Sequence, residues 1–270
     1  MRGVSVDADE DATLDGQTRR GTTTQKSFGR RALGWLSEGA IIVIGALIIS
    51  TLLRSFVAQM FLIPSGSMEN TLQVNDRVLV AKFGGFQRGD VVVFEDPGDW
   101  LGPSQVTENP IRVGLEFIGV LPNSATEHLI KRVIGMPGDH VKSAGDGAPV
   151  TVNGVALDET SYLYSEGGVQ VAPANIPFDI IVPADRIFVM GDHRNQSADS
   201  RCRLTNVNAG EAPGMAAFVP VDKVVGASVA IVSPLDRIST FTVPATFAAV
   251  PDPEQPAPAD PEIREASPGC

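Results

Sequence analysis

Short runs of β-branched and apolar residues, each bounded by turn-forming Asn, Asp, Gly or Pro, recur along most of this chain. Such runs are typical of strands, and no long segment shows the 3.6-residue period of an amphipathic helix. A hairpin is predicted at 150–156, where Asn153 and Gly154 are the residues that a tight turn favours. Further strands are predicted at 74–80, 90–94, 129–134, 180–182, 186–190 and 224–232. The pattern therefore predicts a single, mainly β domain over residues 54–240.

One segment near the N-terminus is apolar over a longer stretch than the predicted strands. Residues 40–53 carry no charge, and extension back to Ala32 adds a single acid, Glu38. Since a helix needs about 20 residues to cross a bilayer, residues 32–53 are predicted to form a single transmembrane helix. A cleavable signal peptide and a buried core helix are the alternatives. The segment 55–63 is also apolar and is expected to rest in the lipid interface.

Charge and cysteine content indicate what flanks this domain and which partners it lacks. Acidic and proline-rich ends are typical of solvated disorder, so the arm 1–31 and the tail 241–270 are both predicted to be disordered. The net charge of −11 argues against nucleic acid as a partner. The two cysteines form no CxxC pair, which gives no indication of a metal or a cofactor. A disulfide between Cys202 and Cys270 is not expected, because Cys270 ends the tail.

Basic residues precede the apolar segment and predict its orientation. An excess of Lys and Arg marks the cytoplasmic side of a span, so the N-terminus is expected in the cytoplasm and the β domain outside it. The residues concerned are Arg19, Arg20, Lys26, Arg30 and Arg31.

Candidate chemistry lies in two segments. Ser65, Gly66 and Ser67 follow the apolar region, and Lys131 lies between large apolar residues in a predicted strand. Serine needs a base to become a nucleophile, and lysine can serve if burial lowers its pKa towards neutrality. The alternative for Lys131 is an edge-strand lysine whose amine reaches water. The GxSxG, SxxK and HExxH motifs of other hydrolases are absent.

Four ordered segments, together with the preceding apolar stretch, resemble type I signal peptidases, the membrane-anchored serine proteases of the Ser-Lys class. The segments are 63–72, 76–83, 130–139 and 189–201. The resemblance covers about residues 55–230 and implies a signal-peptidase-like β domain. It also implies Ser67 as the nucleophile, Lys131 as the general base and Ser65 as a hydroxyl donor to the oxyanion.

The last of these segments is expected to supply supporting residues. The resemblance implies that Ser197 orients the amine of Lys131, and that Asp199 and Arg201 form an ion pair that holds the loop. Ordinary alternatives are a turn serine and a surface salt bridge. His193 stands where the family usually has asparagine, which leaves a Ser-His pair as a further alternative.

The family cleaves signal peptides from exported preproteins after a small-x-small motif, so signal peptides and membrane lipid are the expected partners. Shallow aliphatic pockets would accept alanine and reject larger side chains. The candidate walls flank the dyad in sequence, with core packing as the alternative: Ile63, Met68, Leu72 and Ile130. Two other functions remain possible, a self-cleaving repressor-type Ser-Lys protease and an inactive, membrane-tethered β binding module.

Overall fold

A long helix opens the part of the chain that the computed structural model describes, which comprises residues 28–98, 100–102 and 128–268. Contacts divide the chain into a unit that ends at Ala46 and a unit that begins at Leu47. The helix, α1, spans Phe28–Phe56 and so extends beyond the predicted 32–53 at both ends. Among the described residues, no helix combines the length and the hydropathy of a membrane span. Most of the predicted arm 1–31 lies outside the described residues.

Strands dominate the described chain after this helix, as the short apolar runs between turn-forming residues predict. They are β1 Ala58–Leu62, β2 Arg77–Ala81, β3 Val91–Glu95, β4 His128–Gly135, β5 His140–Ser143, β6 Thr151–Val152, β7 Val155–Ala156, β8 Ser165–Glu166, β9 Val169–Gln170, β10 Phe178–Ile181, β11 Arg186–Met190, β12 Val219–Pro220, β13 Val224–Ser233, β14 Ser239–Thr240 and β15 Glu262–Ala266. Short 3₁₀ turns lie at Arg194–Gln196, Ser200–Arg203, Met215–Ala217, Val221–Lys223, Leu235–Arg237 and Ala245–Ala249.

Two sheets organise these strands. The larger has eight strands in the order β1-β2-β13-β3-β4-β11-β12, with β14 paired to β13. The smaller has five strands in the order β15-β10-β5-β6-β7, and β8 pairs with β9 as a separate ribbon. The strand pairs in both sheets are antiparallel, which agrees with the mainly β prediction.

Strand β4 is the element on which the separate parts of the core meet. Ile130 belongs to one buried cluster, Val133 to a second and Ile134 to a third. The middle of the strand is therefore withdrawn from water, and Lys131 lies in that middle. An eight-residue strand in which all but the first residue are buried gives the site a rigid support.

The apolar segment 55–63 contains a strand, β1. Sequence reasoning predicted no strand there and expected the segment to rest in the lipid interface. Strand β1 pairs with β2 in antiparallel register, with Met60 opposite Leu79. The segment is apolar without alternation, and a short apolar run does not distinguish a strand from other structure by periodicity.

The predicted disorder of the tail 241–270 is wrong for the residues that the structure describes. Strand β15 pairs with β10, where Phe178 lies opposite Ala266. The acidic and proline-rich composition was misleading because antiparallel pairing supplies the backbone bonds that a solvated tail would make with water. Cys202 is disulfide-bonded, also against expectation. Cys270, the other cysteine of the sequence, lies outside the described residues.

Gly226 provides a test of the central sheet. It lies in β13 opposite Val93, next to a register shift, and a Cβ at this position would overlap the carbonyl oxygen of Ala81 on β2. We expect Gly226→Ala to lower the free energy of unfolding by about 3 kcal/mol, because overpacking forces two backbones apart. Gly154→Ala, a turn glycine with open space around it, should cost only about 1 kcal/mol. Urea unfolding midpoints measure both, and equal midpoints would contradict this account of the sheet.

Candidate active site

The turn that follows β1 presents Ser67. Backbone bonds close this turn tightly, with the amide of Leu72 donating to the carbonyl of Met68 at 2.7 Å. The carbonyl of Ser67 accepts the amide of His193 at 3.1 Å, which ties the turn to the segment after β11. Ser67 itself is buried. Its hydroxyl is therefore held in a fixed, largely dry position.

Lys131 reaches this hydroxyl from β4. Its Nζ donates to Ser67 Oγ at 2.6 Å and to the carbonyl of Ile130 at 3.0 Å. The side chain is only 4% exposed, so its amine does not reach water as an edge-strand lysine would. Strand β4 thus brings together two residues that are 64 positions apart in the sequence.

Burial changes the acid–base behaviour of this amine. Loss of hydration lowers the pKa of Lys131 from 10.5 to about 8, although the negative charges of Asp199 and Asp192 act in the opposite direction. Half of the amine is therefore unprotonated near pH 8. An unprotonated amine 2.6 Å from a serine hydroxyl can accept its proton.

The two supporting serines differ in their surroundings. Ser65 is exposed and its Oγ lies 3.5 Å from Ser67 Oγ. Ser197 is buried, and its hydroxyl finds no hydrogen-bond partner of ordinary geometry among the described residues. The expected bond from Ser197 to the Lys131 amine is thus not formed here, although Ser67 and Ile130 engage only two of the three donors that a lysine ammonium carries.

Asp199 and Arg201 form a bidentate pair. Nε and one terminal nitrogen of Arg201 each donate to a different carboxylate oxygen of Asp199 at 2.9 Å, and both side chains are buried. Burial acts to raise the pKa of Asp199, but the Arg201 guanidinium holds it below its ordinary value. The carboxylate also accepts the amide of Gly191 at 2.9 Å. This is therefore a buried, hydrogen-bonded pair, unlike a solvated surface salt bridge.

Gly191 lets the last segment approach the nucleophile. A Cβ at this position would overlap the hydroxyl of Ser197 and would lie 2.5 Å from the carbonyl oxygen of Ser67. Only glycine leaves room for both. Sequence reasoning missed this residue, although its place directly after a strand and before a charged loop was a usable signal.

Sequence reasoning also missed a buried network of charged groups. Arg132 donates to Asp192 through two nitrogens, and Asp192 in turn accepts the hydroxyl of Thr71 at 2.5 Å. Arg194 is paired in the same way with Glu159. The signal was present, because Arg132 adjoins Lys131 and both Asp192 and Arg194 lie in the last of the four segments.

The residues expected to form pocket walls lie in the interior instead. One buried cluster contains all four of them: Ile63, Met68, Leu72 and Ile130. Met68 and Leu72 have no exposed surface at all. The core-packing alternative fits these side chains, because they hold the turn and β4 together from beneath.

The family described as signal peptidase, peptidase S26, matches residues 35–233. The chain belongs to the signal peptidase family S26. Members of that family named signal peptidase I occur in Mycobacterium tuberculosis H37Rv, 34% identical over 86% of this chain and 83% of the relative, and in Leptolyngbya laminosa, 32% identical over 78% and 87%.

The chain is also similar to signal peptidases of other bacteria. Signal peptidase I P of Bacillus subtilis subsp. natto is 30% identical over 73% of this chain and 94% of its own. A solved signal peptidase I from Enterococcus faecalis V583 is 21% identical, over 54% of this chain and 97% of its own, with a TM-score of 0.29. That score is too low to support any structural comparison.

The lowered pKa of Lys131 makes a prediction for stability. Its pKa is about 8 in the folded chain and 10.5 in the unfolded chain, so the unfolded chain binds more protons between these values. Stability should therefore rise with pH across this window, and below pH 8 the buried ammonium should cost about 3 kcal/mol. We expect Lys131→Met to be more stable than the native chain at pH 7, and the difference to shrink as pH approaches 10.5.

Urea unfolding at a series of pH values checks this expectation. Lys142→Met is the matched control, because Lys142 is exposed on β5 and its replacement removes a lysine without removing a buried amine. A constant difference for Lys131→Met would show that the amine is hydrated in the folded chain.

Proposed function

We propose that this chain is a signal peptidase I, a serine endopeptidase that removes N-terminal signal peptides from exported preproteins after a small-x-small motif. The observation that carries the proposal is the 2.6 Å contact between Lys131 Nζ and Ser67 Oγ. Membership of the S26 family supports the substrate class, since relatives across several bacterial groups bear the name signal peptidase I.

The first half of the reaction makes an acyl-enzyme. The neutral amine of Lys131 takes the Ser67 proton, and Ser67 Oγ attacks the carbonyl carbon of the scissile peptide bond. The oxyanion that forms is expected to accept bonds from the amide of Ser67 and the hydroxyl of Ser65. Collapse of this intermediate breaks the C–N bond, and the Lys131 ammonium returns its proton to the leaving amine.

The second half repeats the chemistry with water. Lys131, again neutral, takes a proton from a water molecule that attacks the acyl carbon. The ester bond to Ser67 breaks, Ser67 regains its proton from Lys131, and the signal peptide leaves with a new carboxylate. The ion pair of Asp199 and Arg201 is proposed to keep the backbone at Gly191 close to Ser67 through both halves.

An extended substrate segment can add to a free strand edge beside the dyad. Among the described strands, β1 pairs with β2 alone, and residues 129–131 of β4 pair with β3 alone. Both edges therefore offer backbone groups next to Ser67 or Lys131. Strand addition would present the small residues of the cleavage motif on alternate sides, which supports a reading of the substrate by its backbone.

Membrane attachment by residues 32–53, with the N-terminus in the cytoplasm and the β domain outside, forms part of the proposal. Helix α1 exposes a run of large apolar side chains, which are costly in water: Ile41, Ile42, Val43, Ile44, Leu47, Ile48 and Ile49. Strand β1 follows closely and exposes Met60 and Leu62. Contact with lipid would remove these surfaces from water and bring the dyad near the end of a membrane-embedded signal peptide.

Substitution of either dyad residue tests the proposal. Purified protein in detergent, incubated with a preprotein, should release the signal peptide, and Ser67→Ala or Lys131→Ala should lower the rate by about 10³-fold or more. Ser239→Ala and Lys142→Ala are matched controls, because both residues are exposed and lie outside the site. If the native chain leaves the preprotein intact, or if Ser67→Ala cleaves as fast as the native chain, the proposal is wrong.

A further inference from the structure

His193 is a buried, titratable side chain that the proposed chemistry does not use. It is 2% exposed and lies directly behind the turn that carries the nucleophile. Its Nδ1 is 3.0 Å from Glu69 Oε2 and 3.2 Å from the carbonyl oxygen of Gly66. Gly66 and Glu69 stand on either side of Ser67 and Met68, so one ring nitrogen contacts the turn at two points.

The proton on this ring can be placed from its partners. A carbonyl oxygen can only accept a hydrogen bond, and so can an ionised carboxylate. Nδ1 must therefore carry the proton and donate it to Gly66 and Glu69 together. A nitrogen that donates in this way is not a base for Ser67, whose hydroxyl is instead contacted by Lys131.

The face of the ring is also held in place. Tyr164 stacks on His193 with ring centroids 3.9 Å apart and an interplanar angle of 25°. The amide of Tyr164 donates to the carbonyl of Asp192, the residue before His193. The donor nitrogen is thus fixed in direction, which is the requirement for a side chain that positions another group.

Glu69 completes the arrangement from the solvent side. Its carboxylate packs against the Cα of Gly66, since a Cβ on Gly66 would lie 2.9 Å from the carboxylate carbon and one of its oxygens. The Glu69 side chain is 32% exposed, whereas that of His193 is 3% exposed. The carboxylate therefore covers the turn from outside while the imidazole holds it from inside.

We propose that His193 is a positioning residue for Ser67, and that its Nδ1–H, shared between Gly66 and Glu69, holds the nucleophile turn in the geometry that meets Lys131. This inference rests on the proposed function, because it assigns His193 a part in the same reaction. A shift of about 1 Å in a reacting group can cost about 10²-fold in rate. Loss of the donor should therefore lower kcat, while KM should change little because His193 does not contact the free strand edges.

Two substitutions separate the donor from the ring. His193→Asn keeps an N–H close to the position of Nδ1 and loses the stacked ring, whereas His193→Phe keeps the ring on Tyr164 and loses the donor. We expect His193→Asn to keep kcat within about 3-fold of the native value and His193→Phe to lower it by about 10- to 100-fold. The midpoint of the pH–rate profile should stay the same in His193→Asn, because Lys131 remains the base.

The outcomes divide cleanly. Equal activity of His193→Phe and the native chain would overturn the proposal, and so would equal loss in His193→Asn and His193→Phe. If the midpoint of the pH–rate profile disappears in His193→Asn, then His193 titrates in the reaction and is not a positioning residue. His140→Phe is the matched control, since His140 also bonds a carboxylate, Asp179, at 2.7 Å but lies in the smaller sheet.

A second measurement keeps the test decisive if His193→Phe does not fold. Glu69→Ala removes one of the two acceptors at a partly exposed position, and it should lower kcat by a few-fold without changing KM. Glu69→Ala should lower kcat by the same factor when it is combined with His193→Asn. Combined with a substitution of His193 that removes the N–H donor, Glu69→Ala should lower kcat no further, because Glu69 and His193 act through one hydrogen bond. Cleavage by the native chain and its absence in Ser67→Ala are measured alongside, so failure of the positioning role is distinguishable from failure of the proposed function.

Discussion

The burial of one lysine amine against one serine hydroxyl is the interaction on which the rest of this structure depends. An ammonium in an apolar interior is costly, and the cost is reduced when the amine becomes neutral. The fold maintains this situation by placing Lys131 in the middle of β4, where three buried clusters meet around the strand. The same feature that destabilises the folded chain at neutral pH supplies the base that the proposed reaction needs.

The surrounding ion pairs explain how the loops bearing the other groups stay in place. Asp199 is bonded to Arg201, and Asp192 to Arg132, with all four side chains buried. Each carboxylate also raises the pKa of Lys131 and so opposes the effect of burial. Because these negative charges are already paired with guanidinium groups, their opposition is partial, and the pKa of the amine still falls to about 8. Removing one partner of such a pair would leave a buried charge unpaired, which is strongly destabilising.

Sequence reasoning was most successful where local pattern and chemistry agreed. Five strands fall on predicted runs, because turn-forming residues bound each run of apolar residues in the sequence: β2, β3, β4, β11 and β13. It failed where long-range contacts decide the outcome. Strand β15 depends on pairing with β10, and the burial of Met68 and Leu72 depends on how the turn packs against β4, which no local pattern contains. The surroundings of Ser197 could not be foreseen either, because Ser197 and Lys131 lie in different segments of the sequence. The absence of a hydrogen bond between the two is a property of the assembled site.

The pH dependence of kcat/KM for preprotein cleavage tests the central claim most directly. If Lys131 is the base and burial lowers its pKa to about 8, the rate should rise tenfold per pH unit on the acid side and level off above about pH 8. Thermal unfolding followed at each pH would show that the chain stays folded over this range. A rate that continues to rise up to pH 10.5, or one that levels off near pH 6.5 as a histidine base would give, would contradict the account.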